Sequence, residues 1–279
     1  MIVIKPILLL CVALCVATSC KKEVDMTLVQ KTVLENADIR QIEASDAWEV
    51  TVVADSSTFV ELEYSAYLKD YIFAKMENDS LKIGFSQKVH PQIGSVFKAT
   101  VHTLNINSIK AHNASQMAFE GDFGSSDDVI KIDLDGASVC NGLQVSGKDV
   151  YVSVSDASQF LSFNINCTNC VVDVSGASAC KGFFDTNFHF QAVLNDASQI
   201  VVFGGKSYYG TLTLNNGSLA NVVQMPINEL SVNLSGASEA TVWANDSMVG
   251  TLKEASTLYY IGDPQIQIEC SEDSQLIPL

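Results

Sequence analysis

The chain has 279 residues, about twice the usual single-domain length, so size alone admits two ordinary domains or one elongated one. Hydrophobic residues make up 47% and charged residues 17%, which excludes intrinsic disorder, a state that needs low hydrophobicity and high charge. The 32 acidic and 16 basic side chains give a formal charge of -16, and Arg40 is the single arginine, so nucleic acid is not expected as a partner.

Residues 1–19 read as a secretory signal. Lys5 precedes an apolar run from Ile7 to Ala17, which breaks into Thr18-Ser19-Cys20-Lys21-Lys22 and is too short to span a bilayer as a mature helix. Cys20 stands where the run stops, after Ala17-Thr18-Ser19. This arrangement resembles the lipobox of bacterial lipoproteins, with Ala17 where that motif more often carries Leu. The resemblance implies that Cys20 is the lipid-attachment site (palmitate-type acylation) and that the chain is cut just before it, so the membrane is a partner through the N-terminal lipid. Several acyl chains hold far more firmly than one myristoyl group, at about 0.8 kcal/mol per buried CH₂. Lys21 rather than Asp after Cys20 leans toward the outer membrane. Residues 20–36 read as a tether.

Residues 37–105 read as an irregular N-terminal β segment. Strands are expected at Ile39–Ile42, Trp48–Val53, Phe59–Tyr64, Tyr71–Lys75, Leu81–Phe85 and Phe97–Leu104, separated by Asp55-Ser56-Ser57 and Asn78-Asp79-Ser80. After Ala44-Ser45 the segment lacks the period that follows. It is expected to cap a solenoid, because an open coil exposes unpaired backbone and apolar side chains, or else to form early irregular coils grading into the regular ones.

Residues 106–279 are dominated by a repeat. An Ala-Ser pair or a close relative begins at 114, 137, 157, 177, 197, 217, 237, 255 and 273, at intervals of 23, five times 20, and twice 18. Alternation of apolar and polar residues leads into each pair, the pattern of strands. Three residues before the first member of the pair stand Leu134, Val154, Val174, Leu194, Leu214, Leu234, Leu252 and Cys270; two residues earlier stand Ile132, Val152, Val172, Ala192, Leu212 and Val232. Met117, Cys140, Phe160, Cys180, Ile200, Ala220, Ala240, Leu258 and Leu276 follow the Ser by two. All three columns are expected to face inward, since strand side chains alternate with period two. A unit of about 20 residues holding short strands and corners, with no helix, stacks as an all-β parallel β-helix.

Just before each pair sits Asn113, Gly136, Asp156, Gly176, Asp196, Asn216, Gly236, Glu254 or Glu272, mostly types that tolerate a left-handed backbone, so the corner is a repeated turn. The serines from Ser115 to Ser274 form a row. Two readings compete: a polar template for a repetitive sugar or an ice-like surface, or hydroxyls that bond the neighbouring coil and lock register.

Chemistry is sparse. Cys140 and Cys180 lie two coils apart in one inward column, about 9.6 Å by coil spacing and too far to bridge; with Cys270 they read as small core residues. Cys167-Thr168-Asn169-Cys170 is open between a local disulfide, unpaired thiols and a metal pair, although no helix N-terminus lowers a thiol pKa and no second ligand pair has zinc spacing. A catalytic β-helix needs clustered carboxylates or a basic residue on one face; Lys110, Lys131, Lys148, Lys181, Lys206 and Lys253 are scattered, and the four histidines lack a triad context. No catalytic residue, metal site or cofactor is expected. Trp48, Trp243 and Tyr259-Tyr260 are candidates for stacking on sugars, with core or cap packing as the competing reading.

The lipoprotein signal, the β segment with Ser45-Asp46-Ala47-Trp48-Glu49-Val50-Thr51-Val52, and the corners Asp135-Gly136-Ala137-Ser138, Ser175-Gly176-Ala177-Ser178 and Ser235-Gly236-Ala237-Ser238 together resemble the auto-transporter adhesin head, or GIN domain, family over roughly residues 37–260. The resemblance implies a right-handed parallel β-helix on a bacterial cell envelope with an adhesive role, and carries no catalytic residues. The expectation is a non-catalytic, lipid-anchored envelope protein that binds a glycan or surface protein. The alternatives are a carbohydrate-active enzyme (polysaccharide lyase or hydrolase) and a structural envelope protein without a specific ligand.

Overall fold

A computed structural model describes residues 24–123 and 129–279; the signal segment and Cys20 lie outside the described residues. The strands are β1 (Leu28–Val33), β2 (Gln41–Ala44), β3 (Glu49–Ala54), β4 (Phe59–Ser65), β5 (Ile72–Glu77), β6 (Ser80–Phe85) and β7 (Phe97–Thr103). They continue as β8 (Ser108–Ala111), β9 (Gln116–Glu120), β10 (Asp122–Phe123), β11 (Val129–Leu134), β12 (Val139–Asn141), β13 (Gln144–Val154) and β14 (Gln159–Val174). The last are β15 (Ala179–Leu194), β16 (Gln199–Leu214), β17 (Leu219–Leu234), β18 (Glu239–Leu252), β19 (Thr257–Ile261), β20 (Gln265–Cys270) and β21 (Gln275–Pro278). From β8 onward every pairing is parallel, which makes a β-helix of stacked coils.

The register matches the period. Met117, Cys140, Phe160, Cys180, Ile200, Ala220, Ala240, Leu258 and Leu276 pair rung to rung, and so do Leu134, Val154, Val174, Leu194, Leu214, Leu234, Leu252 and Cys270. Identical positions stack because each strand pairs with its copy one period on, so one apolar column becomes a continuous interior seam. Each full coil bends twice more. In β14 the buried set is Phe160, then Phe163, Ile165 and Cys167, then Cys170, Val172 and Val174. The switch of parity marks a bend at Thr168-Asn169, where the register also shifts, and Ser162 at φ 52 makes the earlier one. The cross-section is therefore three-sided, with corners at the Ala-Ser pair, near Ser162 and near Thr168.

At the first corner two successive residues take positive φ, as in Asp156 (φ 55) and Ala157 (φ 64). The turn is tied to its copies along the axis: Ala157 N–H donates to the Gly176 carbonyl and Ala177 N–H to the Asp196 carbonyl, at 2.9 and 3.0 Å. Glycine and Asx share this corner position, and the stacking shows why at Gly236. A Cβ on Gly236 would sit 2.8 Å from the Asn216 nitrogen, so glycine fits closely there, while Asp196 and Asn216 stack on successive coils through a side-chain hydrogen bond of 3.0 Å.

The N-terminal end departs from the sequence expectation in the tether and combines the two readings of residues 37–105. The stretch read as a tether contains β1, which pairs antiparallel with β4. The segment read as a cap or as early irregular coils holds both: β2 pairs with β8 and β3 with β9, and Asp46 and Ala47, both at φ 62, form the same corner with Trp48 in the serine position. The chain then leaves that coil and builds β4 to β7 over its outer edge, with β6 on β2 and β7 on β3, and returns for the next coil at Ser108. Trp48 is fully buried against Phe85 and Phe97, ring centroids 5.9 and 6.0 Å away. This aromatic plug covers the end of the interior seam, where no further coil supplies neighbours.

At the other end β20 pairs with β18 and β21 with β19. Cys270 is exposed there, a correction to its reading as a core residue. It occupies the aliphatic column, but the seam has run out of coils beyond it.

Candidate functional site

The serine row does not face water. Ser115, Ser138, Ser158, Ser178, Ser198, Ser218, Ser238 and Ser256 are all buried. Ser218, Ser238 and Ser256 donate to the carbonyl three residues earlier, Ser198 donates to the Val174 carbonyl at 2.9 Å, and Ser158 Oγ accepts the Ser138 N–H at 3.1 Å. Of the two readings, the hydroxyls that lock turn and register are the ones observed. Beside them the outer face carries its own ladder, in which Asn215 donates to Asn195 Oδ1 at 2.9 Å and Ser235 to Asn215 Oδ1 at 2.7 Å.

Cys167 and Cys170 bracket the third bend, one closing a face and the other opening the next, and both point into the core as free thiols. Of the three alternatives this is the unpaired one, in place of a local disulfide. Burial pushes the Cys140, Cys170 and Cys180 thiols well above their ordinary range, so none is a nucleophile. Trp48 is the end plug and Tyr259 and Tyr260 are half-buried, which leaves Trp243 exposed among the aromatic candidates. Among the described residues no three His, Cys, Asp or Glu side chains come together as a metal site requires. His112 Nδ1 lies 2.9 Å from Asp135, and His102 lies between Asp55, 3.2 Å from Nδ1, and Glu61, 3.8 Å from Nε2, while its ring stacks on Phe59.

The outward surface is not uniform. Most outward positions carry Ser, Thr, Asn or Asp, yet β15 and β16 place large aromatics in water: Phe183 is 46% exposed, Phe188 52%, Phe203 43% and Tyr208 44%. Phe188 and Tyr208 sit at the third corner. There Phe188 meets Tyr209 edge to face at 5.1 Å, and Tyr208 meets Tyr209 at 4.7 Å. Beside this ridge runs a trough of about 440 Å³. Two outward columns in register form its floor: His189, Tyr209, Glu229 and Ser247, and next to them Thr211, Ser231 and Val249. His189 Nε2 and Thr211 Oγ1 share a hydrogen bond at 3.1 Å. Glu229, with Asp246 farther along, keeps negative charge beside the Tyr208 phenol and raises its pKa.

Sequence reasoning passed over Phe188, Tyr208 and Tyr209 because apolar residues inside a strand are taken for core. The period held a signal: a spacing of 20 puts Thr168, Phe188, Tyr208 and Asn228 in one column, where two bulky rings interrupt short polar side chains.

No curated protein matches the chain at a significant level. Solved structures share its fold. A putative adhesin from Parabacteroides distasonis superposes with a TM-score of 0.65 at 14% identity, covering 92% of this chain and 98% of that one. A putative adhesin from Parabacteroides merdae gives 0.67 at 12% identity, with the same coverage. A protein from P. distasonis described as a putative lipid binding protein gives 0.59 at 11% identity, again over 92% and 98%. The family model described as putative auto-transporter adhesin, head GIN domain, matches residues 38–264, and the chain belongs to that family.

Proposed function

We propose that the chain is a non-catalytic binding protein of the bacterial cell envelope, held to the outer membrane through a lipid on Cys20, with the solenoid flank as its contact surface. The observation that carries this reading is the cluster of exposed rings at the third corner. Water disfavours exposed apolar area of that size, and a rigid stack of parallel coils holds the rings in fixed positions without any core role for them. Membership of an adhesin-head family supports a surface or envelope location and a binding role. The site chemistry agrees, since the trough offers one histidine and one carboxylate with no nucleophile or second carboxylate across from it.

Two experiments test the reading. Cys20→Ala is expected to abolish fatty-acid labelling and release the protein from the membrane fraction; an unlabelled wild type with unchanged membrane retention would contradict the anchor. The purified chain, screened against glycans and extracellular-matrix proteins, is expected to show saturable binding without turnover. Turnover of any glycan would instead make it an enzyme, and silence throughout would leave a structural envelope protein.

A further inference from the structure

We infer that the trough beside Phe188 and Tyr209 is a subsite for an uncharged glycan, lying along the solenoid axis across successive coils. This rests on the binding reading above and adds the site and the ligand class. Four observations carry it.

The first is chemical alternation. The floor pairs a ring edge and an aliphatic surface, Tyr209 and Val249, with hydrogen-bonding groups on every rung: His189, Thr211, Glu229, Ser231 and Ser247. A pyranose has the same character, with an apolar C–H face and hydroxyls round its edge. It stacks on an aromatic side chain while its rim both donates and accepts hydrogen bonds. An acyl chain could use the rings but would strip water from the polar groups without replacing their bonds.

The second is spacing. His189, Tyr209, Glu229 and Ser247 are in-register neighbours, so the column repeats every coil, at about 4.8 Å, and the four rungs cover about 14 Å. A coil step is close to the length of one sugar unit in an extended chain. Successive residues of a glycan can therefore meet successive rungs.

The third is charge. Glu229 lines the trough, and its negative charge beside the exposed Tyr208 hydroxyl, with Asp246 farther off, holds that proton more tightly. The chain as a whole carries -16. Uronic, sulfated or phosphorylated chains would be repelled, whereas Glu229 is a strong acceptor for the hydroxyls of a neutral one.

The fourth is that the rings have no structural duty in the trough. Phe188 is 52% exposed and packs on Tyr209 edge to face instead of entering the seam, while the adjacent Phe190 is fully buried and does that work.

The test titrates the full chain, held in a zwitterionic detergent whose headgroup carries no sugar, with cellohexaose, laminarihexaose, mannohexaose and chitohexaose, and with a heparin hexasaccharide and palmitate for contrast. At least one neutral hexasaccharide is expected to bind saturably. Phe188→Ala with Tyr209→Ala should weaken it at least tenfold, and Glu229→Gln should let the heparin fragment bind more tightly than it does to wild type. Phe183→Ala, an equally exposed ring on a different face, should leave binding unchanged, and far-ultraviolet circular dichroism should show every variant folded. Loss in the Phe183 variant equal to that in the trough variant would overturn the site. Binding of palmitate, the heparin fragment or a matrix protein at these residues, with none of a neutral sugar, would overturn the ligand class and leave the binding reading standing. Silence with every probe and every matrix protein would overturn both.

Discussion

The first and third corners turn the same solenoid by different backbone means, the first through two successive residues at positive φ and the third without them, and they have opposite characters. The first repeats almost without change, from Asp156-Ala157-Ser158 to Gly236-Ala237-Ser238, and its serines are buried and bonded to backbone. The third changes at every coil, through Thr168, Phe188, Tyr208, Asn228 and Asp246, and it carries the exposed rings. In a stack, a side chain that touches the next coil is constrained by its own copy there, so repetition records packing. Where the side chain faces only water that constraint lapses, and a departure from the repeat becomes informative about binding.

The difference can be broken open from the interior outward. The largest contrast is in thiol reactivity: with alkylating reagent at pH 8, Cys270 should label readily while Cys140, Cys167, Cys170 and Cys180 stay protected until unfolding. Burial raises the pKa of Cys140, Cys170 and Cys180, so at that pH they hold their protons and lack the reactive thiolate. Peptide mapping without reductant should accordingly find Cys167 and Cys170 unlinked. Next comes the seam itself. Phe160, fully buried and stacked on Phe163 at 4.1 Å, should lose about 3–5 kcal/mol on change to Ala, read as a lowered urea midpoint. Gly236→Ala combines positive φ with a Cβ 2.8 Å from the Asn216 nitrogen and should cost about 1–3 kcal/mol by the same measurement. Ser198→Ala removes one buried hydroxyl donor to the Val174 carbonyl, which still accepts the Asn195 N–H, so about 1 kcal/mol is expected.

The same division decides what the sequence discloses. The inward columns and the first corner were legible because a period of 20 and alternation of two are enforced by contact between like residues. The boundary of the cap was not. Trp48 replaces serine at the first coil's corner, and the inserted strands β4 to β7 separate that coil from the next, so the period breaks where the spatial stack does not. Exposure of Cys270 was hidden for a related reason, since a column position says inward only while another coil lies beyond it. At the third corner β15 turns one even-numbered position outward, Phe188 between buried Thr186 and Phe190, so a reader counting by twos through the strand assigns that ring to the wrong side. The identity of the serine bonds, by contrast, needed coordinates: spacing gave the row but not its direction.

The smallest expected effect on stability and the largest on binding belong to the same variant, and that pairing is the most direct test. Phe188→Ala with Tyr209→Ala should shift the urea midpoint by no more than about 0.5 kcal/mol while saturable binding of a neutral hexasaccharide falls at least tenfold, and Ser198→Ala should lower stability yet bind as wild type wherever it is folded. Binding and stability falling in step in both variants, or a trough variant that binds as wild type, would contradict the division of labour between the corners.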